Sequence, residues 1–220
     1  MHPIMMIALA TAAAAPLGLW LRHDLAKLTY RAEEEQALPD PGPRWWVTWA
    51  SILSIGGLTT AATLSANPVL YLQLAPLAMA GPWLAAVDFD VMRIPNRILA
   101  PTAALTLGAV AGVAVVEQRW SPLILAVVAA ALTGGILAAV HFAGRGGIGF
   151  GDVKLAAAIG LSLGALSLGY ALLAVLVGSI AAAIWARAKR HAEPFAYGPW
   201  LLVGWIAAWP VATAFGLASH

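Results

Sequence analysis

Residues 121–155 read SPLILAVVAAALTGGILAAVHFAGRGGIGFGDVKL. The part from 121 to 143 carries no Asp, Glu, Lys or Arg and is long enough, as a helix, to cross the hydrocarbon of a bilayer. A glycine-rich break follows, then a carboxylate, Asp152, and then the chain turns apolar again. An acid next to two such runs is costly to keep there, which marks it for a function. Composition places the whole chain in the same class. Of 220 residues 61% are hydrophobic and only 10% charged, and the mean hydropathy is +0.83. A soluble domain carries roughly a quarter charged residues. A chain crossing lipid must satisfy its backbone within each segment, so the expectation is an all-α, polytopic transmembrane helix bundle.

Outward from 121–143, apolar runs cover roughly 3 to 21, 45 to 66, 68 to 88, 98 to 116, 153 to 166, 168 to 186 and 198 to 216. These make about eight spans with short polar joints and no linker, hence a single membrane-embedded domain over 1–220. The run from 153 is short for a span and is alternatively a half-helix opening from the glycine turn. Trp20, Trp45, Trp46, Trp120, Trp185 and Trp200 sit at segment ends, where interfacial aromatics belong. Alternating spans put Arg22, Lys27, Arg31, Arg44, Arg93, Arg97, Arg145, Lys154, Arg187, Lys189 and Arg190 on one side and leave Arg119 opposite. The positive-inside rule makes the richer side cytoplasmic, with both termini outside the cytoplasm and the largest loop, about 22 to 44, inside. The Ala-rich Thr11 to Ala15 resembles a signal-peptide cleavage region, but the basic residues follow the first run instead of preceding it, which favours a retained span.

The same distribution excludes other classes. A net charge of +2 and a pI near 9.2 come from residues at segment ends, so no nucleic-acid partner is expected. Without cysteine there is no disulfide, thiolate metal site or cysteine nucleophile. Gly144 to Gly149 formally fits GxGxxG, but it follows a membrane span instead of a strand and lacks the downstream acid. His141, His23 and His191 form no metal-binding pattern, and neither a metal nor a cofactor is expected. Gly108 to Gly112 and Gly160 to Gly164 fit GxxxG and read as close helix packing inside the bundle, with an oligomer as the lesser alternative.

Among the ten acids, Asp24, Glu33, Glu34, Glu35 and Asp40 fall in the large loop, Glu193 in the last cytoplasmic loop and Glu117 outside. The run Glu33–Glu35 reads as a solvated turn or helix face. Asp88, Asp90 and Asp152 remain at span ends, and the topology puts Asp88 and Asp152 at one boundary. Two converging carboxylates can share a proton, one staying protonated while the other activates water against a peptide carbonyl. The plainer alternative is that each acid caps a helix.

Gly149-Phe150-Gly151-Asp152-Val153-Lys154-Leu155 closely resembles the GxGD-V-K-L signature of type IV prepilin peptidases, membrane aspartyl proteases that process pilin-like precursors. Asp88 with Ile94-Pro95-Asn96 six residues on is similar to the family's second aspartate and its following turn. Pro194 to Leu201 is similar to a P-F-G-P-x-L segment, interrupted here by Ala196 and Tyr197. The resemblance covers about 68–216, leaving 1–66 as N-terminal spans and loop. It implies catalytic Asp88 and Asp152, with Gly149 and Gly151 bending the backbone and Lys154 accessory. Asp90 competes with Asp88, since positions two apart on a helix face nearly opposite ways; the offset to Ile94 favours Asp88. Pro95 is expected to break the loop before the fourth helix, with Asn96 as its cap. The resemblance further implies a short form without the cysteine-bearing methyltransferase region, cleaving a pilin or pseudopilin precursor at the cytoplasmic face of the inner membrane. A proton-coupled transporter and a non-catalytic membrane scaffold are the alternatives from other classes.

Overall fold

The computed structural model describes residues 3–65, 68–144, 148–188 and 195–218. Among them are eight α-helices and no strand: α1 Pro3–Ala26, α2 Trp45–Leu64, α3 Ala75–Val91, α4 Asn96–Val116, α5 Ser121–Ala143, α6 Phe150–Gly164, α7 Leu168–Ala188 and α8 Gly198–Ala218. Two 3₁₀ segments, Glu33–Ala37 and Pro68–Leu74, lie between them. Six helical stretches are long and apolar enough to cross a membrane, corresponding to α1, α2, Tyr71–Val91, α4, α5 and α7. α6 has 15 residues, about 22 Å of helix against roughly 30 Å of hydrocarbon, and is too short to count among them. α8, Gly198–Ala218, has 21 residues and carries no Asp, Glu, Lys or Arg.

Three helices, α1, α3 and α6, depart from the expected runs by three residues or more at an end. α1 continues to Ala26 because Leu21 and Leu25 are core residues. Its end stays helical despite Arg22 and Asp24, since Arg22 stacks on the Trp45 ring at 3.4 Å and Asp24 accepts a hydrogen bond from Trp83 Nε1 at 3.1 Å. The run from 68 opens with a 3₁₀ segment, so α3 starts at Ala75 and extends to Val91, where Met92 in the left-handed region (φ 48°) ends it. α6 begins at Phe150, which puts Asp152 within its first turn.

Helices pack chiefly as the sequence neighbours α1–α2, α5–α6 and α7–α8, with α3 against α2, α4 and α8. α3 is the central span: 61% of its window is buried, against 17–33% for the others. α6 is equally internal, with 11 of its 15 residues buried. A small-residue face lets it in. A Cβ on Gly160 would meet Thr133 Oγ1 at 2.2 Å and the Ala129 carbonyl oxygen at 2.5 Å, and one on Gly164 would meet Ala129 Cβ at 2.4 Å, so α5 and α6 approach backbone to backbone. Gly108 and Gly112 do otherwise. A Cβ there meets nothing within 4 Å, and this face of α4 points away from the bundle, so the packing expectation holds for one GxxxG pair and is corrected for the other.

Candidate active site

The two most internal helices each bring a carboxylate to the same end of the bundle. Asp88 lies in the last turn of α3, 3% exposed, and Asp152 in the first turn of α6, 6% exposed. The backbone of the chain's last described loop joins them. Gly198 N–H donates to Asp88 Oδ2 at 3.0 Å, and a Cβ on Gly198 would lie 2.9 Å from Asp88 Oδ2 and 3.3 Å from Asp152 Oδ1. Both carboxylates therefore face one point, and their oxygens are no further apart than those two distances laid end to end. Tyr197, which interrupts the expected segment, packs against the core and pairs its hydroxyl with Ser179 Oγ at 2.7 Å, which ties the approach to Gly198 onto α7.

Each carboxylate is tethered through one oxygen. Asp152 Oδ2 accepts the Gly149 N–H at 3.1 Å while the Asp152 N–H donates to the Gly149 carbonyl at 3.1 Å, a reciprocal pair that opens α6. The capping alternative thus describes half of Asp152. Its other oxygen, Oδ1, is buried and takes no hydrogen bond from the protein. That is an expensive state for a group with only a capping duty.

Ile94 packs against the two glycines beside the acids. A Cβ on Gly151 would come 3.1 Å from Ile94 Cβ, and the one on Gly198 would come 2.9 Å from Ile94 Cδ1. Gly151 is needed for close approach, since its absent side chain makes room for Ile94. Lys154 lines the same cleft of about 480 Å³ as Asp88, Asp152 and Gly149, and its Nζ donates to Asn96 Oδ1 at 3.0 Å. This corrects the reading of Asn96 as a cap: Pro95 is the residue before α4, no side chain caps it, and Asn96 holds Lys154 instead. Asp90 is turned away from the cleft and bound to Arg31, as its position two residues from Asp88 requires. His141 Nδ1 pairs with the Ile148 carbonyl and its ring packs near Phe150. On the other side of Asp88, an apolar groove of about 300 Å³ between α2, α3 and α8 begins at Phe89 and Pro199.

Sequence reasoning did not assign a role to Gly198 or to Ile94 as a wedge. The only signal was the proline-rich segment itself, and its contact with Asp88 spans 110 positions. Arg145, Gly146 and Gly147 of the glycine-rich loop lie outside the described residues, as do Lys189, Arg190, His191, Glu193 and Pro194.

The sequence model of the type IV leader peptidase family matches residues 75–187, from the start of α3 to the end of α7, and so includes both aspartates. A prepilin leader peptidase/N-methyltransferase from Pectobacterium carotovorum subsp. carotovorum is 41% identical over 64 residues. That match covers 28% of this chain and 23% of the relative, so the chain spans less than a quarter of the length of that protein. No solved structure matches the chain.

Proposed function

This chain belongs to the type IV leader peptidase family, and on that premise we propose that it is a membrane aspartic endopeptidase that removes the leader of type IV pilin-like precursors with Asp88 and Asp152. The observation that carries the reading is the convergence of two buried carboxylates, from separate helices, on the point beside Gly198. Two buried carboxylates converging on one point are costly to ionise together, so the proposed working state has one protonated beside its ionised partner. In the proposed cycle the ionised member takes a proton from water as that water attacks the scissile carbonyl. The protonated member donates to the carbonyl oxygen, and the roles reverse as the amine leaves. Gly198 and Gly149, through their N–H groups, set the orientation of the two carboxylates. Asp152 Oδ1, with no hydrogen bond from the protein, is the atom we assign to the attacking water.

Two features support the substrate class and the orientation. The apolar groove starting at Phe89 suits a substrate whose apolar segment begins just beyond the scissile bond. The basic residues Arg31, Arg44, Arg93 and Lys154 gather at the end of the bundle that carries the cleft, which supports a site on the cytoplasmic side of the inner membrane. Acids of transport sites belong near the bilayer midplane, whereas these two lie at helix ends, which disfavours a transporter. The N-methyltransferase activity in the relative's name is left with that relative, since the resemblance ties it to paired cysteines and these 220 residues contain none. The test is to incubate the purified protein in detergent with pilin-like precursors and map the new N-terminus by mass spectrometry. A product beginning at the start of the precursor's apolar segment, after a leader glycine, is expected. Precursors left intact, or cut within the apolar segment, contradict the reading.

A further inference from the structure

Between α1 and α2 the chain folds back over the end of the bundle that carries the dyad, and it is fastened there at two places. The first is Asp90. Arg31 grips it with both prongs of its guanidinium, Nη2 to Oδ1 at 2.7 Å and Nε to Oδ2 at 2.9 Å. The Tyr30 hydroxyl donates to Oδ2, and Arg44 Nη2 lies 3.2 Å from the same oxygen while donating to the Tyr30 hydroxyl at 2.6 Å. Arg31 also donates to the carbonyls of Leu38 and Pro39, so one side chain fixes both the loop's own path and its attachment to α3. The Arg31 and Asp90 side chains are 2% and 7% exposed. Buried, bidentate and hydrogen-bonded on both sides, the pair has one geometry, unlike a surface ion pair.

The second fastening is Arg93, which donates to Glu35 Oε2 at 2.7 Å and to the Tyr30 carbonyl at 3.2 Å. Both fastenings act on the short turn that leaves α3, and the residue after Arg93 is Ile94, the wedge against Gly151 and Gly198. The connection therefore runs from the loop to the turn and from the turn to Gly151, next to Asp152, and Gly198, the donor to Asp88. We propose that the 27–44 loop is a positioning clasp: through Asp90 and Arg93 it holds the end of α3 and the Ile94 wedge where Asp88 meets Asp152. This rests on the reading of Asp88 and Asp152 as the cleaving pair. Asp90 touches neither of them and is a positioning residue.

A network that only stabilised the fold would change unfolding and leave the turnover of folded enzyme alone. The clasp predicts a loss in kcat, since a displacement on the order of 1 Å at reacting groups costs about 100-fold in rate. The experiment measures kcat and KM for a pilin-like precursor with full-length variants in detergent, alongside thermal unfolding. Asp90→Asn is expected to lower kcat by about 100-fold with KM within about twofold. Glu35→Gln, which spares the buried pair, is expected to lower kcat by roughly three- to tenfold by the same displacement argument. The chain has no cysteine, so Glu35→Cys with Arg93→Cys can be joined selectively by a short bis-maleimide. In an Asp90→Asn background that cross-link is expected to raise kcat at least about tenfold over the same variant before cross-linking, because a covalent second fastening holds the turn when the first is lost.

Wild-type kcat in folded Asp90→Asn, or a cross-link formed without recovery, overturns the clasp. If Asp90→Asn does not fold, an unchanged kcat in Glu35→Gln overturns it. Asp88→Asn, run in parallel, separates the two readings. Wild-type cleavage by that variant sinks the dyad itself, whereas an inactive Asp88→Asn beside a fully active Asp90→Asn sinks only the clasp.

Discussion

Asp152 is both a helix-opening carboxylate and a free one, and the division falls between its two oxygens. Oδ2 is committed to Gly149 N–H, while Oδ1 faces Asp88 across the point beside Gly198. That makes Gly198 a sensitive position beside the acids. A methyl group there meets Asp88 Oδ2 and Ile94 Cδ1, both at 2.9 Å, so Gly198→Ala is expected to reduce precursor cleavage by about tenfold or more while leaving the fold intact. Activity and thermal unfolding measured on one preparation check it, and wild-type turnover contradicts it. Glu35 offers a pH-dependent counterpart. The hydrogen bond from Arg93 holds its carboxyl below the ordinary value of 4.5, against the opposing effect of partial burial and with help from Ala32 N–H. Because the folded-state pKa is the lower one, the contribution of this pair is complete at neutral pH. It is lost as pH falls from about 4.5 through the folded-state value. Hydrogen-exchange protection of residues 31–44, taken relative to the intrinsic rate at each pH, should drop over that acidic window in wild type and be already reduced at neutral pH in Glu35→Gln; unchanged neutral-pH protection in the variant contradicts this. The pair is partly exposed and worth no more than about 1 kcal/mol, so the effect is local loosening.

At the scale of elements, the meeting of α5 and α6 decides whether Asp152 reaches the site. α6 is short, and its glycines let it lie directly on the α5 backbone. Gly160→Ala drives a methyl into Thr133 Oγ1 and the Ala129 carbonyl and is expected to destabilise the fold by about 1–3 kcal/mol. Gly108→Ala fills open space on α4 and is expected to be neutral or slightly stabilising through helix propensity. Thermal unfolding of the two variants separates them, and equal midpoints contradict the packing argument. The same pair marks how far the sequence could be read. Apolar length and charge placement made the helices legible, because both are properties of a segment in isolation. Two GxxxG pairs look alike in sequence, and only the neighbouring helix distinguishes a buried ridge from an outward one. Asp88 and Asp152 could be singled out because the family resemblance rests on the glycine spacing and the Ile94-Pro95-Asn96 turn beside them. The Gly198 donor and the hold of Arg31 on Asp90 were not, because each joins segments separated by 110 and 59 positions.

For the whole molecule, the basic residues around the cleft and the lone Arg119 after α4 predict the orientation of the bundle. Single cysteines can report it, since the natural chain has none. Gln118→Cys should react with a membrane-impermeant maleimide on cells whose outer barrier alone has been opened, and Glu34→Cys only after the inner membrane is permeabilised. The reverse pattern contradicts a cytoplasmic site. The central claim is that Asp88 and Asp152 act as one unit, and the most direct test is the precursor cleavage rate of Asp88→Asn, Asp152→Asn and the double variant, each confirmed folded. Groups that share a proton fail together, so each single variant should lose as much as the double, about a thousandfold or more. Cleavage at the wild-type rate by either single variant would contradict the account.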